Sequence, residues 1–377
     1  MDVIKIYGKF FYGGELFIMK KDKIRFVGVG NYGNIIISSN IEELSKYNHL
    51  IIDTSYHDLA KSFVSSKIQI GEEFTKGLGA QGNPVIGEHA AIGIKKELEL
   101  FFNGAELVFI FGGMGGGTAT GAISVIAEIA KNMGILTVSM VTIPFSFEGK
   151  ERETIALAGI DKLMGKSDGI FVIKNDHLIL ETEKTIDMKN IFSELGKSFY
   201  RKMEIILNLL KLQGTMPFDF NKLESILRNG DLCLLTSGKA LGIDRAKHAL
   251  ENALNNPYYS GSISNAEKIL LNISSNGDIE VYEFETIKNL VKSYIKNKIE
   301  DFLLGITINN SLEGEIEVTI LGTNISNQKK FGETTLLRES YEVKNDFDQI
   351  KEKNENKNKK PEKGAIEEIS IPKWIKG

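Results

Sequence analysis

Cysteine is almost absent: Cys233 is the only one in 377 residues. That excludes an internal disulfide framework and suits a reducing compartment. No run of about 18 apolar residues occurs, so no helix is expected to span a membrane. The first residues are not a clean signal peptide, because Lys5 and Lys9 interrupt the apolar stretch and no small-residue cleavage site follows it. A strong charge of one sign is also missing. The formal net charge of −4 gives no general pull toward nucleic acid. His49, His57, His89, His177 and His248 are scattered without ligand spacing, so no metal site is expected. These absences leave a cytoplasmic globular protein. The 42% hydrophobic and 25% charged fractions are ordinary for one, and the length suits two modest domains.

Residues 24–29 read as a buried strand running into Gly30-Asn31-Tyr32-Gly33-Asn34. Further apolar runs follow at 50–52, 107–111, 135–142 and 170–173, with helical stretches between them. Strands alternating with helices predict an α/β fold with a parallel sheet, whose ligands bind beyond the carboxyl ends of the strands. Across 190–212, Phe192, Leu195, Phe199, Met203, Ile206 and Leu210 share one face of a long helix, which Gly214 and Pro217 end. Beyond it, 245–254 reads as helix and 232–236, 266–273, 302–309 and 315–322 as strands, giving a second, α+β domain. Residues 351–363 carry no apolar side chain except Pro361 and are expected to be disordered. Apolar residues return at Ile366, Ile369, Ile371, Pro372, Trp374 and Ile375, a sticky peptide on a polar tether. The expected segments are an N-terminal extension (1–22), a nucleotide-binding domain (23–188), a central helix (189–213), an α+β domain (214–323), a disordered linker (324–365) and a partner-binding tail (366–377).

The densest motif is Gly112-Gly113-Met114-Gly115-Gly116-Gly117-Thr118-Ala119-Thr120-Gly121. It follows a strand and opens a helix, 122–132, that Gly134 closes. Glycines let backbone N–H groups wrap phosphate oxygens, and a helix N-terminus favours the negative charge. The hydroxyls of Thr118 and Thr120 can donate as well. The loop is not of Walker A type: Gly165-Lys166-Ser167 has its glycine partner, Gly159, one position too far, and is expected within a helix.

Several segments together resemble the tubulin/FtsZ family. Residues 115–121 resemble its GGGTGTG loop. Gly134-Ile135-Leu136-Thr137-Val138 and Pro144-Phe145-Ser146-Phe147-Glu148-Gly149-Lys150 are similar to GILTV and PFNFEGK, and residues 75–84 to TKGLGAGANP. Residues 270–274 with Glu283-Phe284-Glu285-Thr286 resemble LVNIT and EFET, and residues 369–376 resemble the family's terminal D-I-P-x-F-L-R peptide. The resemblance covers about residues 23–323 and the last dozen. It implies a GTP- and GDP-binding cell division protein, allowing Mg2+ beside the nucleotide, with GTPase activity, head-to-tail filaments and a place at the division site.

Carried over by position, the resemblance implies nucleotide contacts at Gly30, Asn31, Tyr32, Gly33 and Asn34, and phosphate contacts at Gly116, Gly117, Thr118 and Ala119. Glu148 and Arg152 match ribose-side residues, Asn34 and Asn175 asparagines near the base, and Phe192 the aromatic that packs on it. The departures are specific. The first loop is one residue short and carries Asn31 and Tyr32 where glycines are usual. Ala119 adds a methyl group where the loop has glycine. Lys197 stands where an aspartate accepts hydrogen bonds from guanine, and a lysine only donates; Glu194, one turn earlier, is the candidate replacement. After the central helix, Asp219 matches the first acid of an N-V-D-F-A-D loop that acts on the neighbouring subunit's nucleotide. Lys222 falls on the second, as in β-tubulin, and an ammonium cannot take up a proton from water. The expectation is therefore slow hydrolysis at a site involving Asp219 and Lys222. The alternative is a non-hydrolysing scaffold that co-assembles with another filament protein. A Rossmann-type dinucleotide enzyme is a weaker third reading: Asp53 supplies its acid, but the first loop lacks the full glycine pattern.

The tail, with Ile371, Pro372, Trp374 and Ile375, resembles the segment that docks on a membrane-anchoring division protein. Removing residues 366–377 should abolish co-sedimentation with such an anchor and leave polymerisation in solution intact; loss of polymerisation would contradict the assignment.

Overall fold

A computed structural model describes residues 20–177, 191–211, 214–255, 263–295 and 299–325. The expected linker and tail, apart from Asn324 and Ile325, and most of the N-terminal extension lie outside these residues. Among the described residues ten strands form one sheet: β1 (Ile24–Val29), β2 (Asn48–Asp53), β3 (Lys67–Gln69), β4 (Leu107–Gly113), β5 (Leu136–Ile143), β6 (Gly169–Lys174), β7 (Asp231–Leu241), β8 (Lys268–Ser275), β9 (Asp301–Ile308) and β10 (Glu315–Thr323), in the order β3-β2-β1-β4-β5-β6-β7-β10-β8-β9. From β3 to β7 every pairing is parallel. The strands β1 and β5 are buried at every residue, as parallel strands covered on both faces must be. β10 runs antiparallel to both β7 and β8, and β9 parallel to β8 closes the far edge.

The two halves are therefore one sheet, joined where Gly169, Ile170 and Phe171 pair with Asp231, Leu232 and Cys233. Asp168, just before this junction, is fully buried yet satisfied. It accepts from the N–H groups of Thr137 (3.0 Å) and Asn229 (3.3 Å), and its charge is met by Arg228 (3.1 Å) and Lys131 (3.5 Å). Burial pushes the Cys233 thiol up to about 12, which makes it an inert core residue and no nucleophile.

Helices cover both faces: α1 (Gly30–Ser39), α2 (Ile41–Leu44), α3 (Tyr56–Lys61), α4 (Glu72–Thr75), α5 (Pro84–Gly93), α6 (Lys95–Phe102), α7 (Thr118–Asn132) and α8 (Lys150–Leu163), then the central helix α9 (Ile191–Leu209), α10 (Phe220–Leu227), α11 (Arg245–Leu254) and α12 (Val281–Tyr294). The face of α9 predicted from spacing, including Leu195, Phe199, Met203 and Ile206, is buried in the core. α9 also packs on α1, and Asn40 Nδ2, just past the end of α1, donates to the carbonyl of Gly196 at 3.0 Å. No helix among the described residues is long and apolar enough to cross a membrane.

Some local expectations are corrected. Residues 30–34 are not a loop: β1 passes directly into α1 at Gly30, whose φ of +70° makes the turn that glycine permits. Gly165-Lys166-Ser167 lies in a turn after α8 has ended at Leu163, with Lys166 paired to Glu128 at 3.1 Å. The strand expected at 266–273 runs Lys268–Ser275, because Ala266 closes the preceding 3-10 turn by donating to the Ile263 carbonyl.

Helices α5 and α7 touch backbone to backbone. A Cβ on Gly121 would overlap the Pro84 carbonyl, and one on Gly87 would overlap the Gly117 carbonyl. Gly121→Ala is expected to lower the stability of the ligand-free protein by about 2–3 kcal/mol through overpacking. Gly116→Ala, where an added Cβ meets nothing within 4 Å, should stay within about 0.5 kcal/mol of wild type. Denaturant midpoints of the two variants provide the comparison.

Candidate functional site

The sheet reverses its direction of winding between β1 and β4, where ligands of open α/β sheets bind. A cavity of about 350 Å³ opens there, at the carboxyl ends of the strands, within the usual range for small-molecule sites. On one side β4 ends in Met114-Gly115-Gly116-Gly117 and α7 begins. Gly115 takes a φ of +99° and donates its N–H to Thr120 Oγ1 at 2.9 Å. Thr120 is thus a brace inside the loop and does not face the cavity. No side chain caps the N-terminus of α7 or of α1. Both helices leave first-turn N–H groups without intrahelical partners, so this wall of the cavity is a pair of unspent donor sets with positive dipole ends. The methyl of Ala119 is helical and buried, turned toward Gly30 and Gly112. It therefore crowds the loop less than its replacement of a glycine suggested.

Thr118 carries the polar chemistry of this end. Its Oγ1 lies 2.6 Å from Thr54 Oγ1 and donates to Asp53 Oδ1 at 3.3 Å. Asp53, the last residue of β2, also accepts from the N–H of Ser55, at 3.2 Å. It is 3% exposed, and its second oxygen, Oδ2, has no partner. Burial, the dominant influence, raises its pKa above the ordinary 3.8. Among the described residues no three His, Cys, Asp or Glu side chains group to hold a metal ion. A cation beside Asp53 would need further oxygens from a bound ligand.

At the other end stand Glu148, Arg152, Asn175, Phe192 and Tyr32. Glu148 Oε1 accepts from the Phe145 N–H at 3.0 Å, and its Oε2 pairs with Arg152 at 2.6 Å. The turn carrying Glu148 is pinned from below by Asp176, which accepts from the Ser146 N–H at 3.1 Å. Asn175, one residue beyond β6, is buried with Oδ1 unpartnered. Phe192 is 39% exposed and meets the edge of Phe145 at 6.1 Å between centroids.

Of the residues expected at the site, Gly30, Asn31, Tyr32, Gly116, Gly117, Thr118, Ala119, Glu148, Arg152, Asn175 and Phe192 line this one cavity. Gly33 and Asn34 lie behind the wall. Asn34 spends its amide internally, donating to the Asp58 carbonyl at 3.3 Å and accepting from Ser38 at 2.9 Å. Lys197 is also outside the wall, paired with Glu194 at 2.8 Å. Asp219 and Lys222 are exposed elsewhere on the surface. Asp219 Oδ1 caps α10 by accepting from the Lys222 N–H at 2.8 Å, and Lys222 Nζ donates to the Pro217 carbonyl at 3.1 Å. Wall residues that sequence reasoning did not assign to the site include Asp53, Ser55, Leu78, Gly79 and Thr142. The available signal for Asp53 was its position at the carboxyl end of the strand next to β1.

Residues 23–182 match the GTPase domain of the Tubulin/FtsZ family, and residues 232–326 match the C-terminal domain of the FtsZ family. The chain is 35% identical over 309 residues to the cell division protein FtsZ of Wigglesworthia glossinidia brevipalpis, covering 81% of this chain and 80% of that protein. It superimposes on an empty FtsZ dimer of M. jannaschii with a TM-score of 0.70 at 31% identity, covering 82% of this chain and 91% of the other. A GTPγS-bound protofilament of CetZ2 from Haloferax volcanii has the same fold, with a TM-score of 0.70 at 18% identity over 82% of this chain and 95% of that one.

The state of Asp53 gives a stability test. Its folded-state pKa is raised, so the native state holds the proton more tightly. Its contribution is present below the ordinary carboxylate pKa and is lost as pH rises through the raised value. At neutral pH the buried charge costs stability. Asp53→Asn should therefore raise the unfolding midpoint of the ligand-free protein at neutral pH, and the gain should fade as pH is lowered toward 3.8. A pH series of thermal scans reads this directly.

Proposed function

The chain belongs to the tubulin/FtsZ family, and on that premise we propose that it binds GTP and GDP in the β1–β4 cavity, polymerises head to tail in the cytoplasm at the division site, and hydrolyses GTP slowly. The observation that carries the binding is the uncapped start of α7 beside a glycine loop, facing an unpartnered buried carboxylate oxygen of Asp53. A triphosphate with Mg2+ fits that pairing. Free N–H groups suit phosphate oxygens, while a spare carboxylate oxygen suits a cation or its water.

The N–H groups of Gly116, Gly117, Thr118 and Ala119 would hold the phosphates, and Asp53 with Thr118 would hold the cation side. Glu148 and Arg152 would face the sugar. Asn175 Oδ1 would accept from the base, and Phe192 would cover it. Bound GTP supplies the phosphoanhydride bond, and Mg2+ neutralises charge on its oxygens. Asp219 of a neighbouring copy would orient the attacking water through its second oxygen, since Oδ1 is occupied as the α10 cap. Lys222, one turn on, can stabilise phosphate charge but cannot accept a proton.

The second reading, a non-hydrolysing scaffold that co-assembles with another filament protein, is favoured by the same Lys222 and by the Lys197–Glu194 pair. That pair leaves the guanine edge without the family's carboxylate. In either reading the C-terminal tail would dock on a membrane-anchoring division protein.

Pelletable polymer and phosphate release, followed together with GTP, ATP or no nucleotide, separate the two. GTP-dependent polymer with slow release supports the first reading, and polymer indifferent to nucleotide supports the scaffold. Lys222→Asp should raise GTP turnover on the order of tenfold, at or below the low end of what a positioned base contributes. An unchanged or lower turnover would overturn the role given to Lys222.

A further inference from the structure

Tyr32 occupies the first turn of α1, at a position where the family resemblance leads one to expect glycine. Its ring is fixed from two sides. It stands edge-on to Phe199 of the central helix, with centroids 6.1 Å apart and planes at 83°. Its Cβ also sits so close over the end of β4 that a Cβ on Gly113 would lie 3.0 Å away. Tyr32 lines the cavity, and its hydroxyl is buried without a hydrogen-bond partner.

A buried hydroxyl with no partner is costly, and native structures rarely retain one without a reason. The neighbouring protein groups do not supply the reason. Glu148 is near enough for its charge to act on Tyr32, after burial itself, in keeping the phenol protonated. Both Glu148 oxygens are already engaged, by the Phe145 N–H and by Arg152. The hydroxyl is therefore an unspent donor, with a lone pair to spare, on a residue that lines the ligand space. Its surroundings differ from those of the phosphate end. The free helix N–H groups, Thr118 and Asp53 answer charge there, whereas Tyr32 stands with Glu148 and Arg152. A hydroxyl that both donates and accepts can pair with another hydroxyl, and its place beside Glu148 and Arg152 sets it apart from the phosphate end.

We propose that the Tyr32 hydroxyl hydrogen-bonds to the ribose hydroxyls of the bound nucleotide, making it a sugar-reading residue that this chain has in place of backbone alone. The inference rests on the nucleotide reading given above and adds a specificity determinant to it.

The test titrates GTP, 2′-deoxy-GTP and 3′-deoxy-GTP into the full chain as wild type and as Tyr32→Phe. Phenylalanine keeps the ring on Phe199 and Gly113, and an unchanged or raised unfolding midpoint without ligand establishes that the variant folds. Wild type should bind GTP more tightly than at least one deoxy analogue. Tyr32→Phe should weaken GTP binding roughly three- to tenfold, the share of one neutral hydrogen bond, and abolish that preference. Equal GTP affinity in the two proteins, tighter binding by the variant, or equal weakening toward all three nucleotides would overturn the proposal. A wild type that binds none of the three would overturn the nucleotide reading itself, and this inference with it.

Discussion

The direct backbone contact between α5 and the start of α7 governs the site. Gly87, Gly117 and Gly121 leave no side chain between the two segments, and neither helix could approach the other with a single methyl group interposed. Two consequences follow from that closeness. The N-terminus of α7 stays clear of capping side chains and keeps its N–H groups for a ligand. The segment before α5, with Leu78 and Gly79, is drawn against the cavity as its outer wall. The glycine-rich composition of the loop thus answers two demands at once, room for an anion and room for a neighbouring helix.

A second constraint ties the site to the rest of the molecule. Asp168 is a fully buried carboxylate just before the parallel β6–β7 pairing that joins the two halves of the sheet. It is tolerable there only because backbone N–H groups and two cations satisfy it together. Those partners come from β5, from α7, and from the segment between α10 and β7. The helix that follows the glycine loop and the segment that follows Asp219 and Lys222 are therefore fastened to one anion. The wall of the cavity and the element carrying Asp219 and Lys222 thus share one anchoring point.

Much of the fold was legible from local patterns. The apolar runs at 24–29, 107–111, 135–142 and 170–173 became the central strands. The three-and-four spacing from Leu195 to Ile206 gave the buried face of α9, although Phe192 at its start is 39% exposed and Leu210 lies past its end, and the glycine run after β4 gave the main wall of the cavity. The misreadings were also local in origin. Glycines at 28, 30 and 33 suggested a loop, yet Gly30 alone makes the turn and a helix begins at once. Thr120 and Asn34 carry polar groups that looked free in sequence; tertiary neighbours had already claimed them.

By itself, the sequence determined the element order, the glycine loop before α7 and the family, because each depends on residues close together in the chain. Only the tertiary structure decided which polar groups remain unspent. Asp53, the last residue of β2, and Asn175, just past β6, lie 122 positions apart in the numbering (53 to 175), and both line one cavity and carry a buried, unpartnered oxygen. Lys197, aligned with a base-reading position, instead pairs with Glu194 outside it. Tyr32, which stands where the family resemblance leads one to expect glycine, brings an unpartnered hydroxyl to the cavity wall. Whether a polar atom is available depends on what else reaches it. That is settled by the crossing of strands and helices distant in sequence, and no spacing of residues encodes it.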